Sequence, residues 1–221
     1  MPLKAVLFDM DGVIVDTEPL HRKAYFKMFE KFGVNVTPEL YAGFAGASTR
    51  KVCQTIIDTF NLNQTFEELQ DVKREYFKEL FYSDAEFDLI PGVRTLIEHY
   101  HQNDIKLVLA SSASRITIEM VFEKFGLNNY FIGKISGAEL KESKPNPEIF
   151  LRAAEIAGEP KENCMVIEDS TNGILAAHRS GIFCAGYKSP HTHGQDYSLA
   201  NLVVTDFSQL NVKNLSNYFP E

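Results

Sequence analysis

Three short apolar runs along the chain each end in polar side chains that a packed interior would not need. Each run has the length of a buried strand and is followed by a helical pattern. This alternation predicts a parallel sheet covered by helices on both faces. The runs and the residues that end them are 6–8 before Asp9, 106–110 before Ser111 and Ser112, and 165–167 before Glu168 and Asp169.

Ligands of such open sheets bind beyond the carboxyl ends of the strands. We therefore expect Asp9, Ser111 and Asp169 to gather at one edge of the sheet, although they lie far apart in the sequence. Three further candidate strands extend the predicted sheet. They are 183–186, 202–204 and, as a weaker pattern, 133–136.

The segment from about residue 18 to residue 86 has no strand pattern and is typical of a block of helices. Such a block is too long for a simple connection between neighbouring strands. It predicts a Rossmann-like α/β core formed by residues 1–16 and 88–221, with a helical domain inserted at 17–87. The expected helix starts are Pro19 with Thr17 or Glu18 as the cap, Ser48 as a cap, and a capping box from Thr65 to Glu68.

The composition narrows the classes of protein that fit this layout. The chain has 221 residues, of which 44% are hydrophobic, enough for one large domain or one domain with a modest insert. Its three cysteines are widely spaced, which predicts buried reduced thiols and a cytoplasmic protein rather than a disulfide framework. No apolar run is long enough to span a bilayer. The first residues lead straight into a predicted strand, so we expect no secretory signal.

The formal net charge is −8. This charge argues against a general nucleic-acid binder, which needs a basic face. It leaves anionic small substrates open, because a local cation and one or two lysines reverse the field inside a cleft.

The first predicted strand ends in Asp9 and Asp11, two acids two residues apart, followed by Gly12. Like charges held this close disfavour each other's ionisation unless a cation or a bound partner offsets them. In such a pair, one carboxylate can attack an electrophile while the other transfers a proton. A divalent cation beside them would offset the repulsion between the two charges. Capping or turn residues at a strand end are the alternative interpretation.

The stretch Asp9-x-Asp11-Gly12-Val13-x-Val15-Asp16-Thr17 resembles the first motif of the haloacid-dehalogenase superfamily, in its phosphatase and sugar-phosphate mutase branch. The layout of core and insert resembles that family's α/β core and helical cap over nearly the whole chain. The resemblance implies that Asp9 is the nucleophile, forming an aspartyl-phosphate, and that Asp11 is the acid/base. Phosphotransferases of the family carry this second aspartate, and its true dehalogenases lack it.

Glu168 and Asp169 add two more acids, and together with the first pair they make an oxygen-rich pocket for a hard cation. Mg²⁺ takes one or two carboxylates, keeps several waters and uses substrate phosphate oxygens. The resemblance assigns direct ligation of magnesium to Asp9, the main-chain carbonyl of Asp11 and Asp169, with Glu168 nearby or acting through water. The preference of helix N-termini for acids is the alternative for Asp169 alone.

Lys144 lies in a loop that Pro145 and Pro147 stiffen. The segment resembles the family's lysine-proline motif, whose lysine neutralises the nucleophile and the transferring phosphoryl group. Ser111 and, more weakly, Ser112 are candidate phosphate-binding residues, because a hydroxyl and backbone N–H groups at a helix start hold phosphate oxygens. A solvated surface lysine and a plain helix cap are the alternatives.

We expect the insert to select the substrate and to close over the site. The resemblance implies three substrate-facing residues in it, namely His21, Gly46 and Arg50. From its position on the core helix after Ser111, we expect Arg115 to assist. A second cationic clamp would suit a phosphorylated sugar. An ordinary helix-face histidine and surface arginines are the alternatives.

Two enzyme interpretations compete, a phosphatase and a β-phosphoglucomutase-like enzyme. Ala45 departs from the mutase pattern, in which a lysine precedes the glycine that corresponds to Gly46. We therefore favour a phosphatase that acts on a small phosphorylated metabolite such as a sugar phosphate. As partners we expect that metabolite, no nucleic acid, no membrane, and a monomer or weak oligomer.

Two other classes of protein fit the sequence less well. A non-catalytic binding module would have lost the nucleophile or a metal acid, and a receiver-type signalling domain would be shorter and lack the insert. His191 and His193, which invite a metal interpretation, are typical of a surface loop flanked by Pro190 and Gly194.

Overall fold

The computed structural model describes residues 2–44, 49–189 and 194–220. The chain divides into two compact units, Met1–Asp16 with Asp88–Glu221 and Thr17–Phe87. We call the first the core unit and the second the helical unit. That the helical unit acts as a cap stays a prediction.

The described part of the helical unit is built from four helices around its own apolar interior. Glu68 and Thr65 form the predicted capping box at the start of the longest helix, with Glu68 N–H donating to Thr65 Oγ1 over 3.2 Å and Thr65 N–H donating to Glu68 Oε2 over 2.7 Å. Thr17 makes no side-chain cap bond, and Ser48 lies outside the described residues. The helices are α1 (Glu18–Lys31), α2 (Pro38–Ala42), α3 (Thr49–Phe60) and α4 (Phe66–Ser83).

The core unit contains one parallel sheet, in which six strands are described in the order β3-β2-β1-β4-β5-β6. This order places β1 in the interior of the sheet. Strands β2 and β3 lie on one side of β1 and strands β4, β5 and β6 on the other, so the strand order reverses between β1 and β4. The predicted runs are all strands, including the weaker one. The strands are β1 (Ala5–Phe8), β2 (Lys106–Ser111), β3 (Phe131–Ser136), β4 (Cys164–Glu168), β5 (Phe183–Tyr187) and β6 (Leu202–Val204).

Helices cover both faces of the sheet. On one face, apolar residues of α7 and α8 pack with alternate strand residues such as Leu7 and Val166. On the other face, the ring of Phe8 contacts Tyr100 of α5 at a centroid distance of 6.3 Å. The interior strands β1, β2 and β4 are therefore buried on both sides, as a parallel sheet requires. The helices of the core unit are α5 (Val93–Gln102), α6 (Arg115–Lys124), α7 (Glu148–Ala157), α8 (Thr171–Ser180) and α9 (Val212–Leu215).

The strand register brings together the acids at the ends of β1 and β4. Phe8 of β1 lies opposite Ile167 of β4, and the N–H of Asp9 donates to the carbonyl of Ile167 over 3.0 Å. Asp9 and Glu168 therefore lie side by side at the carboxyl ends of β1 and β4. The three cysteines are buried and form no disulfide.

Candidate active site

Asp9 lies at the carboxyl end of β1 with only 6% of its surface exposed. The chain then turns sharply, because the carbonyl of Met10 accepts hydrogen bonds from the N–H groups of Ile14 and Val15 at 2.7 and 3.1 Å. Gly12 adopts φ +84° in this turn, a conformation that disfavours any side chain. The glycine of the motif is thus required by the backbone.

Lys144 reaches into this end of the sheet and pairs with two carboxylates. Its Nζ lies 2.5 Å from Asp9 Oδ1 and 2.7 Å from Glu168 Oε1, and all three side chains are at least nine-tenths buried. The lysine is also stacked over the ring of Phe150, at 4.9 Å from the centroid. Burial lowers the pKa of Lys144, but Asp9 and Glu168 outweigh it and raise that pKa above its ordinary value. The ammonium is therefore charged and fixed, not a solvated surface group.

Asp169 follows β4 and points at the turn after β1. A Cβ on Gly12 would overlap the Asp169 carboxylate, so that carboxylate packs directly against the glycine backbone. Burial raises the pKa of Asp169 to about 7, Glu168 and Asp11 add to the rise, and Lys144 opposes it. Burial likewise raises the pKa of Asp9; Lys144 opposes that shift, and Glu168 and Asp169 reinforce it. The site is thus short of positive charge.

Glu168 has both carboxylate oxygens engaged. Oε1 accepts from Lys144, and Oε2 accepts from the N–H and the hydroxyl of Ser170 at 2.8 and 2.9 Å. A Cβ on Gly173 of α8 would overlap this carboxylate. Glu168 therefore fixes Lys144 and the start of α8. Its expected metal role, nearby or through water, stays a prediction.

The acids fit a magnesium ion by their chemistry and charge. Asp9, Asp11, Glu168 and Asp169 are four acids at this end of the sheet, and among the described residues Lys144 is the cation paired with them. A divalent cation would relieve the raised carboxyl pKa values. Within 2–44, 49–189 and 194–220, no group of three or more His, Cys, Asp or Glu is placed to hold a metal by itself. Mg²⁺ needs only one or two carboxylates when waters and substrate phosphate complete its shell.

Ser111 ends β2 and is buried, whereas Ser112 is exposed. The hydroxyl of Ser111 accepts from the N–H of Ala113 over 3.1 Å. The cap of α6 is Ser114, whose Oγ accepts from Thr117 N–H over 3.3 Å. A plain capping role for Ser111, the alternative from the sequence, is therefore wrong, and phosphate binding stays a prediction.

Arg115 does not extend into the acidic cluster. Its guanidinium donates to both carboxylate oxygens of Glu139, at 3.1 and 2.7 Å, and to the carbonyl of Lys134 at 2.9 Å. These bonds hold the guanidinium of Arg115 against β3 and Glu139. The structure gives no support to the expectation that it assists at the substrate.

His21 of the helical unit has a partner that the sequence analysis missed. Its Nδ1 lies 2.8 Å from Nζ of Lys73, and its ring stacks on Phe77 at 4.4 Å. Burial and then Lys73 lower the pKa of His21 to about 3, and burial lowers the pKa of Lys73 to about 8. A neutral imidazole thus accepts from a buried ammonium. The sequence signal for this pair is Lys73, which lies at four-residue spacing between Leu69 and Phe77 on the apolar stripe of α4.

Arg50, the other described substrate candidate, is exposed on α3. Its guanidinium lies over the ring of Phe66, 4.9 Å from the centroid. Gly46 and Ala45 lie outside the described residues, as do His191 and His193.

Comparison with known proteins places the chain in a family. The model of the haloacid dehalogenase-like hydrolases matches residues 6–187. The chain therefore belongs to the haloacid dehalogenase-like hydrolase family and is an enzyme of that family. In the described parts of the chain, no helix has the length and apolar character to cross a membrane.

The relatives include phosphatases and mutases. A phosphorylated carbohydrates phosphatase of Thermotoga maritima is 32% identical to this chain, over 81% of this chain and 82% of its own length. The β-phosphoglucomutase of Bacillus subtilis is 29% identical, over 96% of this chain and 94% of its own length. A crystal structure from Thermotoga maritima, described as a candidate β-phosphoglucomutase, is 29% identical with a TM-score of 0.84, covering 97% of this chain and 99% of that one. This likeness confirms the predicted α/β fold.

Proposed function

We propose that this enzyme is a magnesium-dependent phosphatase that hydrolyses a small phosphorylated metabolite such as a sugar phosphate. The observation that carries the proposal is the buried Lys144 ammonium between Asp9 and Glu168, with the Asp169 carboxylate against Gly12 beside it. A nucleophilic carboxylate with a fixed cation at its side suits transfer of a dianionic phosphoryl group. The similarity to a phosphatase of phosphorylated carbohydrates supports the same class of substrate.

The reaction proceeds in two displacements. An oxygen of Asp9 attacks phosphorus, the bond from phosphorus to the ester oxygen breaks, and Asp11 gives its proton to the departing oxygen. Water then attacks the aspartyl-phosphate, Asp11 takes a proton from that water, and the bond from phosphorus to Asp9 breaks to release phosphate. Lys144 stabilises negative charge on the transferring group throughout.

Asp9 and Asp169 would hold the magnesium ion, with the main-chain carbonyl of Asp11. The ion would supply Lewis-acid stabilisation of the phosphoryl oxygens. Ser111 and Ser112 would bind phosphate oxygens, and His21, Gly46 and Arg50 of the helical unit would contact the rest of the substrate.

The second candidate function is a sugar-phosphate mutase, in which a sugar hydroxyl replaces water in the second displacement. Similarity over nearly the full length of a β-phosphoglucomutase favours it. Ala45 weighs against it, because the mutases carry a lysine at that position before the glycine.

A panel of phosphate esters that includes β-glucose 1-phosphate, with products separated, tests the proposal. We expect free alcohol and phosphate in the presence of Mg²⁺, and less than about one-hundredth of that rate in Asp9→Asn, by analogy with other losses of an activated nucleophile. Isomerised sugar phosphate would favour the mutase. Full turnover by Asp9→Asn would show that Asp9 is not the nucleophile.

A further inference from the structure

A segment outside the recognised motifs packs against the turn that carries Asp169. This segment, residues 195–201, follows β5 in the core unit. The hydroxyl of its Tyr197 donates to the main-chain carbonyl of Asp169 over 2.9 Å and lies 3.4 Å from the carbonyl of Tyr187. No motif in the sequence predicts a role for this tyrosine.

The ring of Tyr197 has a site shaped for it on the sheet. A Cβ on Gly186 of β5 would lie 2.9 Å from Cδ1 of Tyr197 and 3.1 Å from Cβ of Ala200. Tyr197 and Ala200 both pack against the apolar cluster under α7 and α8. The absence of a side chain at Gly186 thus lets the ring lie on β5, and this packing directs the hydroxyl at Asp169.

The same segment holds the first residue of α8. Oε1 of Gln195 accepts from the N–H and the hydroxyl of Thr171, both at 2.8 Å, and Thr171 Oγ1 accepts from the N–H of Asp196, also at 2.8 Å. At its other end, Asn201 exchanges two bonds with Cys184 of β5, at 2.8 and 2.9 Å. The turn from β4 to α8 is therefore bonded to the segment at two residues, Asp169 and Thr171.

We propose that Tyr197 is a positioning residue for Asp169, holding its main chain so that its carboxylate faces the site. The inference rests on the proposed function, in which Asp169 is a magnesium ligand. The hydrogen bond to the Asp169 carbonyl restricts rotation of the peptide that follows, and the Gly12 backbone limits the carboxylate from the other side. Loss of such a supporting contact weakens metal binding by about 10–100-fold.

Tyr197→Phe tests this proposal, because it keeps the ring on Gly186 and removes only the hydroxyl. Titration calorimetry with MgCl₂ would measure Mg²⁺ binding by Tyr197→Phe, by the parent enzyme and by Asp169→Asn. Tyr218→Phe, at an exposed tyrosine near the C-terminal end, is the control. We expect about tenfold weaker Mg²⁺ binding in Tyr197→Phe, parental binding in Tyr218→Phe and no binding in Asp169→Asn. Turnover of a phosphate ester by Tyr197→Phe should return to within about twofold of the parent at saturating Mg²⁺, because the positioning is then restored by the ion.

A merely structural tyrosine would give a different result. Tyr197→Phe would then melt at a lower temperature in EDTA but bind Mg²⁺ as tightly as the parent, which would overturn the positioning role and leave the phosphatase proposal intact. Parental Mg²⁺ binding by Asp169→Asn would overturn it as well, because Asp169 would not be the ligand that is positioned. A parent enzyme that binds no Mg²⁺ but hydrolyses esters would overturn both the inference and the proposed metal dependence.

Discussion

Lys144 is the residue on which the charge balance of the site depends. Its ammonium is buried between Asp9 and Glu168, and both carboxylates lie within 2.7 Å of Nζ. Removing one partner of a buried ion pair costs about 3–5 kcal/mol, because the remaining charges are left uncompensated in a poor solvent for ions. Lys144, for which we propose a role in phosphoryl transfer, is therefore also needed for a stable fold.

We expect Lys144→Met to lower the free energy of unfolding by about 3 kcal/mol at pH 7.5 in EDTA. Urea denaturation measures this loss, and Lys141→Met, an exposed substitution in the same loop, should change it by less than about 0.5 kcal/mol. The loss should shrink at pH 5, where Asp9 and Asp169, whose pKa values are raised, take up protons more readily. Equal stability of the two variants would show that the ion pairs are not maintained in solution.

The sequence did not point to Tyr197 or to Lys73, the partner of His21. Asp9, Asp11 and Lys144 carry a reactive group in a recognisable order, so their types and spacing predict a role. Tyr197 carries none, and its bond to Asp169 depends on how a distant segment lies on β5. Lys73 interrupts an apolar stripe, but only the structure shows the imidazole that accepts from it.

At the scale of elements, strands were easier to predict than helix starts. The apolar runs that became β1, β2 and β4 are buried on both faces, and such runs stand out in any sequence. The short helix α2 was not predicted, because five residues carry no helical period. The cap of α6 is Ser114 and not Ser111, a difference of one turn that propensity does not resolve.

The helix α8 provides an element-scale prediction, because its Gly173 faces the Glu168 carboxylate with no room for a Cβ. In an open helix, Gly→Ala stabilises by about 1 kcal/mol. Here we expect Gly173→Ala to destabilise by about 1–3 kcal/mol, since the overlap displaces Glu168 from Ser170 and Lys144. Thermal unfolding would measure the change, with Asn172→Ala on the exposed face of the same helix as the control. A stabilised Gly173→Ala would show that the carboxylate moves aside at no cost.

At the scale of the whole molecule, the α/β fold follows from the alternation of runs and helices, but the buried charges do not. The two units have separate apolar interiors, and each contains polar groups that are paired. In the core unit these are the acids around Lys144. In the helical unit they are His21 and Lys73. The composition gives the number of charged side chains but not which of them are buried. Burial of a charged side chain determines how the stability of the fold depends on pH.

His21 gives the stability of the molecule a pH dependence that an exposed histidine would not. Its pKa falls from about 6.5 to about 3 on folding, so the unfolded chain binds more protons than the folded one between these values. The associated stability is fully present above pH 6.5 and is lost as the pH falls towards 3. We expect His21→Gln, which stays neutral, to lose less stability over this range than the parent, by more than about 1 kcal/mol. Urea denaturation at pH 7.0, 5.5 and 4.0 would measure the difference, and His101→Gln, exposed on α5, should follow the parent. Parallel curves for His21→Gln and the parent would mean that the imidazole of His21 is accessible to water in solution.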